Sequence, residues 1–223
     1  MSAAAPVKEW TPVPILMYHA VEDKPRPNKY RGLYVLADEF AWQMHYLQRK
    51  GYTAITFDDL AAALSGAKTL PPRPFVLTFD DGYANLYENA HPLLRSLGIP
   101  CTVFLVSERV GGRNEWDAAQ GLETVPLLSW SQIRAMQAEG SVSFQPHTAT
   151  HPRLTEISAV EARRELGESK TRLEQELQQP MKAWLIPRGC SRRRSRRVQA
   201  FARLRPDHRR SGCGQPKCRG SGS

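Results

Sequence analysis

The sequence predicts an α/β fold built around a mostly parallel sheet, and two observations support this prediction. Short apolar runs of strand length are largely unbroken by polar residues, which is typical of strands buried on both faces of a sheet. These runs alternate along the chain with segments of helical periodicity, the order expected for β-α units. Six such units are too few for an eight-fold barrel. The pattern therefore fits an incomplete or irregular barrel, and it fits an open α/β sheet as well.

Six apolar runs are predicted as strands and five periodic segments as helices. The predicted strands are residues 14–18, 52–56, 74–79, 100–106, 141–145 and 182–186. The predicted helices are residues 38–50, 58–65, 84–97, 130–139 and 158–178. In α/β folds the carboxyl ends of the strands carry ligands and catalytic groups. Polar residues that follow the predicted strands are therefore the first candidates for a site.

Two segments stand out from this regular alternation. The last predicted helix has clear boundaries, because Ser158 and Glu161 have the spacing of a capping box and Pro180 follows its end. One stripe of this helix carries three leucines, Leu166, Leu173 and Leu177. The segment 107–129 has little periodicity and is long for a connection, which is typical of a lid or rim over a functional site.

Length, hydropathy and cysteine content narrow the class of protein. The chain has 223 residues, enough for one domain with a sizeable core. No apolar stretch approaches the roughly 18–20 residues of a membrane span, and the N-terminus lacks the apolar region of a signal peptide. If the parent protein is exported, we expect this chain to be a mature form or an excised domain. Cys101 lies in an apolar run and is predicted to be a buried small hydrophobe, so no disulfide framework is expected around it.

The basic charge of the chain is concentrated at its C-terminus. The formal net charge is +9, yet residues 188–223 alone hold 12 Lys and Arg against one acidic residue, Asp207. Residues 1–187 hold 19 Lys and Arg against 21 acidic residues, and are close to neutral. We therefore divide the chain into a globular body, residues 1–187, and a basic tail, residues 188–223.

The tetrapeptide TFDD occurs twice, and the two copies have different surroundings. Asp58 and Asp59 precede the strong helix former LAAAL, so they are predicted to start a helix with Thr56 as its N-cap. Asp80 and Asp81 end the longest strand-like run and are followed by Gly82, which permits a sharp turn. Adjacent acids at a strand end can point in different directions, so one could bind a metal while the other faces a substrate. Helix capping remains the alternative for this second pair.

Three histidines also follow predicted strands. His147 and His151 lie between Pro146 and Pro152, which predicts a shaped loop rather than a helix. Two histidines and one carboxylate with an open coordination position are typical of a catalytic zinc site. Surface or packing histidines are the alternative. His19 ends the first predicted strand and would lie at the same edge of the sheet, where it could be functional or merely structural.

These residues together resemble the NodB-type polysaccharide deacetylases. TFDDG at 78–82 resembles the family's first motif, and HTATH at 147–151 resembles its metal-histidine motif. The resemblance covers about residues 12–187 and implies a distorted (β/α)7 barrel. PILMYHAV and the stretch from LYVLADEF to AITFDDL resemble more narrowly the branch that removes acetyl groups from poly-β-1,6-N-acetylglucosamine, a biofilm exopolysaccharide.

The resemblance also implies roles for individual residues. Asp81, His147 and His151 would hold one divalent metal ion, zinc in the first instance, with cobalt, nickel or iron as alternatives. Asp80 would be the general base. In this branch the motif order is circularly permuted, and His19 takes the place of the catalytic acid. Two further residues, Tyr83 and Arg188, are expected at the oxyanion and substrate positions.

The family pattern breaks at residue 188. An aromatic-Pro-Tyr-Gly turn is expected there, and Pro187 and Gly189 fit, but Arg188 replaces the tyrosine. The basic tail beyond it could be an arm for nucleic acid or another acidic polymer. It could also be a zinc knot, or an out-of-frame reading of GC-rich DNA, which is the interpretation we prefer. The residues of such a knot would be Cys190, His208, Cys213 and Cys218. We expect the tail to be disordered or loosely attached and the barrel to be incomplete at its C-terminus, with an unpaired sheet edge and low or absent activity.

The sequence thus predicts a metal-dependent hydrolase that removes N-acetyl groups from an N-acetylglucosamine polymer and releases acetate. The alternative is an impaired, deacetylase-like protein that binds glycan or, through the tail, nucleic acid. We expect a polysaccharide partner rather than nucleic acid. The family resemblance implies a periplasmic, secreted or cell-surface location, although no signal peptide is predicted.

Overall fold

The structure is a computed structural model that describes residues 12–25, 32–121 and 123–183. Its strands are β1 (Ile15–Tyr18), β2 (Ala20–Glu22), β3 (Tyr34–Leu36), β4 (Thr53–Ala54), β5 (Pro74–Phe79), β6 (Cys101–Leu105) and β7 (Val142–Pro146). Its α-helices are α1 (Ala37–Arg49), α2 (Phe57–Leu64), α3 (His91–Leu97), α4 (Trp130–Ala138) and α5 (Ala159–Leu177). A π-helical turn, Leu86–Ala90, precedes α3, and 3₁₀ turns form at Ser107–Arg109 and Glu115–Gln120.

A five-stranded parallel sheet forms the centre of the described residues. Its main path has the order β1-β5-β6-β7, and β4 pairs with the first two residues of β5. All the pairings are parallel, so the carboxyl ends of β1, β5, β6 and β7 lie at one edge of the sheet. The predicted α/β class with parallel strands is confirmed, and the described strands are consistent with a distorted, incomplete barrel.

The central strands β5 and β6 are buried on both faces, as their apolar runs predict, whereas Ile15 and Met17 of the edge strand β1 are exposed. Every residue of β5 and β6 is buried, including polar Thr78 and Thr102. Helix α1 covers one face with Phe40, Met44 and Leu47, which recur at helical spacing. The Phe40 ring meets the rings of Tyr18 and Phe79 at centroid distances of 5.1 and 5.7 Å. Each such buried side chain contributes about 1.5–3 kcal/mol.

Two short strands, β2 and β3, were not predicted from the sequence. One predicted strand, residues 182–186, is not formed by the two of its residues that the structure describes. β2 and β3 pair as a separate parallel ribbon of three residues each, too short to show a period in the sequence. In the predicted strand 182–186, residues 182–183 have no regular structure and residues 184–186 lie outside the described residues. Gln145 of β7 accepts hydrogen bonds from the backbone N–H groups of Lys182 and Ala183 (2.9 and 3.0 Å), so its side chain holds this segment beside the sheet.

The helix-start role of the first TFDD is confirmed. Thr56 is the N-cap of α2, its hydroxyl accepts from the Asp59 N–H (3.0 Å), and the Asp59 carboxylate accepts from the Thr56 N–H (3.0 Å). Bonds from Lys68 and Thr56 lower the pKa of Asp59 to about 2. The capping boxes of α4 and α5 are also present, the latter at the predicted Ser158 and Glu161.

We expect Thr56→Ala to lower the free energy of unfolding by about 1 kcal/mol, because the Asp59 N–H loses its acceptor. Urea denaturation of the two proteins measures this difference. Metal binding should be unchanged, since α2 contributes none of the predicted ligands. A change in metal affinity at equal folded fraction would contradict the purely structural role of the first TFDD.

Among the helices of the described residues, none has both the length and the apolar character needed to cross a bilayer.

Candidate metal and catalytic site

The five body residues predicted for metal binding and proton transfer converge at the carboxyl edge of the sheet. His19 follows β1, Asp80 and Asp81 follow β5, and His147 and His151 lie in the loop after β7. The Nε2 atoms of His147 and His151 are 3.3 and 3.2 Å from Oδ1 of Asp81. His19 Nε2 is 3.8 Å from Oδ2 of Asp80. Residues that lie more than 120 positions apart in sequence thus share one site.

The group formed by Asp81, His147 and His151 fits a divalent metal ion. One ligand atom from each residue lies within 4.8 Å of the others. Ligands that share an ion at about 2.1 Å lie about 3.0–3.4 Å apart, which matches the two Asp81–histidine distances. Oδ1 of Asp81 is buried and has no hydrogen-bond partner among the described residues, as expected of an oxygen reserved for a cation. The donor set of two imidazoles and one carboxylate is the set that zinc and related ions prefer.

The backbone at this group is held in an uncommon conformation. Asp81, Thr148 and His151 have φ angles of 69°, 70° and 67°, in the left-handed region that non-glycine residues rarely adopt. Each such residue costs about 1–3 kcal/mol and persists only where surrounding bonds enforce it. The Asp80 N–H donates to the Tyr18 carbonyl, and the His147 N–H donates to the Leu105 carbonyl, both at 2.8 Å. Such strain is concentrated at functional sites and orients the ligand side chains.

The two adjacent aspartates have opposite electrostatic environments. Burial raises the pKa of Asp80 to about 7, and the neighbouring Asp81 carboxylate adds to this effect, while His147 opposes it. Burial would also raise the pKa of Asp81, but the imidazoles of His147 and His151 outweigh burial and hold it well below its usual range. Burial lowers the pKa of His19. Asp81 therefore favours the anionic form that binds cations, and Asp80 can exchange a proton near neutrality.

The segment after His19 is fixed by amide side chains of the π-helical turn and its N-cap. Asn85 Oδ1 accepts from the Val21 N–H (3.2 Å), and Asn89 Nδ2 donates to the Val21 carbonyl (2.8 Å). Val21 is fully buried. Because both backbone groups of Val21 are anchored to the element that follows Asp80–Asp81, the position of His19 is tied to that of the aspartates.

The long segment 107–129 lies against this site. The Tyr83 hydroxyl accepts from Asn114 Nδ2 (3.2 Å) and donates to Asp117 Oδ2 (3.5 Å), and all three residues are buried. Burial raises the pKa of Tyr83 strongly. The Trp116 ring stacks on the His151 imidazole, with centroids 4.5 Å apart and planes inclined by 29°. Tyr83 thus anchors the segment, and its contact with substrate stays a prediction, as does the role of the segment as a rim.

The polysaccharide deacetylase family model matches residues 67–206, which is more than half of the chain. The chain belongs to the polysaccharide deacetylase family. The match includes Asp80, Asp81, His147 and His151, and it begins after His19. The predicted family resemblance is therefore confirmed.

Individual relatives agree with this assignment. Over 143 residues, 60% of this chain and 47% of the relative, the chain is 29% identical to the poly-beta-1,6-N-acetyl-D-glucosamine N-deacetylase of Staphylococcus epidermidis. The solved structure of the Streptococcus pyogenes deacetylase PplD in complex with acetate has a TM-score of 0.66 and 28% identity, covering 86% of this chain and 80% of that one. IcaB from Ammonifex degensii has a TM-score of 0.68 at 24% identity, covering 80% of this chain and 75% of that one, and supports the fold. The chain spans about half the length, or less, of the curated relatives it matches.

Four described residues that contact the candidate site or pack beside it were not singled out in the sequence. Asn114, Trp116 and Asp117 lie in the segment predicted as a rim, where a short cluster of polar and aromatic residues could have drawn attention. Glu165 lies on α5 and accepts hydrogen bonds from the histidine loop. The sequence feature that could have identified Glu165 is its spacing, because it lies four residues before Ser169 and eight before the buried Leu173 on the same helix.

Arg188, the second residue predicted for the oxyanion and substrate positions, lies outside the described residues. The same holds for the basic tail, residues 188–223, and for its proposed zinc knot. Their predicted roles stay predictions. The site is thus described for six of the seven residues predicted from the sequence.

Gly82 is required at the turn between Asp81 and Tyr83. Its φ is +75°, and a Cβ atom there would lie 2.6 Å from Cδ2 of Leu105, a fully packed residue. We expect Gly82→Ala to lower the free energy of unfolding by about 2–4 kcal/mol, from the left-handed backbone and from overpacking. Gly98→Ala is the matched control, since Gly98 has a φ of +64° and open space around it. Equal losses in the two variants, measured by urea denaturation, would show that the Leu105 contact is unimportant.

Proposed function

We propose that this chain is a metal-dependent N-deacetylase that removes acetyl groups from a polymer of N-acetylglucosamine. The observation that carries the proposal is the metal-ligand group of Asp81, His147 and His151 with a second, separate carboxyl group, Asp80, beside it. A site that only binds a metal ion would not need a second buried carboxyl group beside the ligands, as Asp80 is here. Metal-assisted hydrolysis combines a Lewis acid with a positioned base, and this site offers residues for both.

The proposed chemistry assigns a distinct task to each side chain. Asp81, His147 and His151 hold the ion, which supplies Lewis acidity toward water and toward the acetamide carbonyl. Asp80 takes the proton of the attacking water, because its carboxyl group lies beside the ligand group without belonging to it. Protonated His19 gives a proton to the departing glucosamine nitrogen, and the proton that Asp80 took from water passes back to His19, which faces Asp80 from the neighbouring strand end at 3.8 Å. Acetate leaves, a free amine remains on the sugar, and no covalent enzyme intermediate is required.

Zinc is the ion we propose. Two neutral imidazoles and one carboxylate form a set that leaves a coordination position open, which is the pattern of catalytic zinc sites. The same donor set suits cobalt, nickel and iron, so the metal loaded in the cell also depends on availability. Elemental analysis of protein purified without chelators would distinguish these ions.

The proposed substrate is poly-β-1,6-N-acetylglucosamine. Its support is the 29% identity to the Staphylococcus epidermidis enzyme that is named for this polymer. The complex of the Streptococcus pyogenes deacetylase with acetate supports acetate as the second product. We further propose that the parent protein acts outside the cytoplasm, where such a polymer is found.

Acetate release from soluble oligomers tests the proposed function. The zinc-loaded protein is offered β-1,6-linked and β-1,4-linked N-acetylglucosamine oligomers of equal length, and acetate and free amines are measured together. We expect equimolar acetate and amine from the β-1,6 oligomer, and much slower release from the β-1,4 oligomer. Release from neither oligomer by a folded, metal-loaded protein would favour the alternative, a non-catalytic deacetylase-like protein. Equal release from both would overturn the linkage assignment only.

A further inference from the structure

We propose that Glu165 is a positioning residue whose buried carboxylate fixes the loop that carries His147 and His151. The inference rests on the proposed metal site. Glu165 lies on α5 and is 4% exposed. Its Oε2 atom accepts hydrogen bonds from the N–H groups of Ala149 and Thr150, both at 2.9 Å, and its Oε1 atom accepts from the Thr150 hydroxyl at 2.8 Å. One carboxylate therefore satisfies three donors of the loop between the two histidines.

The Ala149 N–H group needs such a partner because Ala149 is buried. Ala149 is 1% exposed, so water cannot pair with its N–H group, whereas Thr150 is exposed and its two bonds to Glu165 hold it against α5. Buried N–H groups are nearly always hydrogen-bonded in folded proteins. Two successive N–H groups that converge on one oxygen form an anion-binding concavity. Here the anion is supplied by a side chain of the same chain.

The carbonyl side of the loop is held from another element. The Ser107 and Glu108 N–H groups donate to the carbonyls of Thr148 and Ala149, at 3.2 and 3.0 Å. The loop is thus clamped between the segment that follows β6 and the carboxylate on α5. The clamp lies between Thr148 and His151, the two loop residues with left-handed φ angles. Loss of the hydrogen bonds on one side would let Thr148 and His151 leave the left-handed backbone conformation, and the histidine ring nitrogens would then move.

The position of Glu165 on its helix argues that it does more than dock α5. Residues 165, 169, 173 and 177 form the buried stripe of this helix at a spacing of four, and the last two are leucines. A leucine would serve packing at this position without the penalty of burying a carboxylate. The carboxylate is therefore explained by the donors it meets. Outer partners that orient metal ligands typically affect metal affinity 10- to 100-fold.

Metal affinity of three variants tests this inference. Affinity for zinc is measured by competition with a chromophoric chelator, at equal folded fraction determined by near-ultraviolet circular dichroism. We expect Glu165→Ala to bind zinc about 10- to 100-fold more weakly than the parent chain. Glu165→Gln keeps one acceptor oxygen but loses the charge, so we expect a weakening of about three- to tenfold. Glu168→Ala is the matched control, because Glu168 lies on the same helix, is exposed, and pairs with Arg164 at 3.7 Å.

The cobalt-substituted proteins give a readout that a merely structural role would not change. We expect the visible absorption bands of cobalt to differ between the parent and Glu165→Ala, and to coincide between the parent and Glu168→Ala. Parent-like zinc affinity and cobalt bands in folded Glu165→Ala would overturn the inference. If that variant does not fold, parent-like affinity in Glu165→Gln would overturn it instead.

The outcomes for Glu165 and for the proposed function can be told apart. If the parent binds zinc but releases no acetate, the proposed function fails while the affinity ranking still decides the role of Glu165. If the parent releases acetate and all three variants bind zinc equally, the role of Glu165 fails and the proposed function stands. If the parent binds no divalent ion at all, both are wrong.

Discussion

Asp80→Asn is expected to release acetate about 10²- to 10⁴-fold more slowly than the parent chain, with metal content unchanged. The amide cannot take a proton from the attacking water, so the general base is lost. The metal stays bound because the ligand group consists of Asp81, His147 and His151, and does not include Asp80. The measurement is the acetate-release rate beside elemental analysis of the same sample.

The first TFDD provides the control for this variant. Asp58 is exposed, lies in the first turn of α2 and pairs with Lys182 at 2.8 Å. An exposed ion pair of this kind contributes little to stability, so Asp58→Asn should leave acetate release within about twofold of the parent. If the two asparagine variants lose activity equally at equal folded fraction, the assignment of the two carboxylate pairs is wrong.

His147→Ala is expected to remove the metal, and with it the acetate-release activity. Its imidazole lies 3.3 Å from Oδ1 of Asp81, is buried at the end of β7, and is one of only three ligands in the group found among the described residues. We expect a loss of zinc affinity greater than the 10- to 100-fold effect of an outer partner. Chelator competition measures the affinity, and the acetate assay measures the activity.

The exposed His45 on α1 supplies the matched substitution. His45→Ala removes an imidazole of the same kind from a solvent-facing position far in sequence from the predicted ligands. Zinc affinity and acetate release should equal those of the parent chain. Full zinc occupancy in His147→Ala would show that the ion, if one binds, is held elsewhere.

Local chemistry made the site residues predictable from the sequence. Asp80, Asp81 and His147 each follow an apolar run of strand length, and parallel strands bring such positions to one edge. The two TFDD copies could be separated because one precedes a helix-forming run and the other precedes a glycine. A capping acid and a ligand acid therefore have different neighbours even when their own tetrapeptides are identical.

Contacts that depend on packing could not be predicted in the same way. The carboxylate of Glu165 reaches Ala149 and Thr150 only because α5 docks beside β7, and the sequence shows just an acid within a charged helix. The stacking of Trp116 on His151 depends likewise on how a segment without periodicity folds back over the sheet. β2 and β3 are too short for a pattern of alternation, and the side chains of Asn85 and Asn89 that hold Val21 of β2 come from a distant element.

The helix stripe of α5 shows how a sequence pattern can be nearly right. The leucines at 166, 173 and 177 predict one apolar stripe, and Leu173 and Leu177 are buried as expected. Leu166 is only half-buried, and the buried stripe continues through Ser169 to Glu165. Hydrophobicity alone cannot reveal this stripe, because its first residue is buried for its hydrogen bonds.

The rate of acetate release, measured against equivalents of zinc added to the metal-free protein, tests the central claim most directly. The substrate is the β-1,6-linked N-acetylglucosamine oligomer, and bound zinc is measured in the same samples. We expect the rate to rise in proportion to bound zinc and to level off at about one equivalent, the capacity of a single group of three ligands. An acetate-release rate that does not depend on bound zinc, or a folded protein that holds one equivalent of zinc and releases no acetate, would contradict the account.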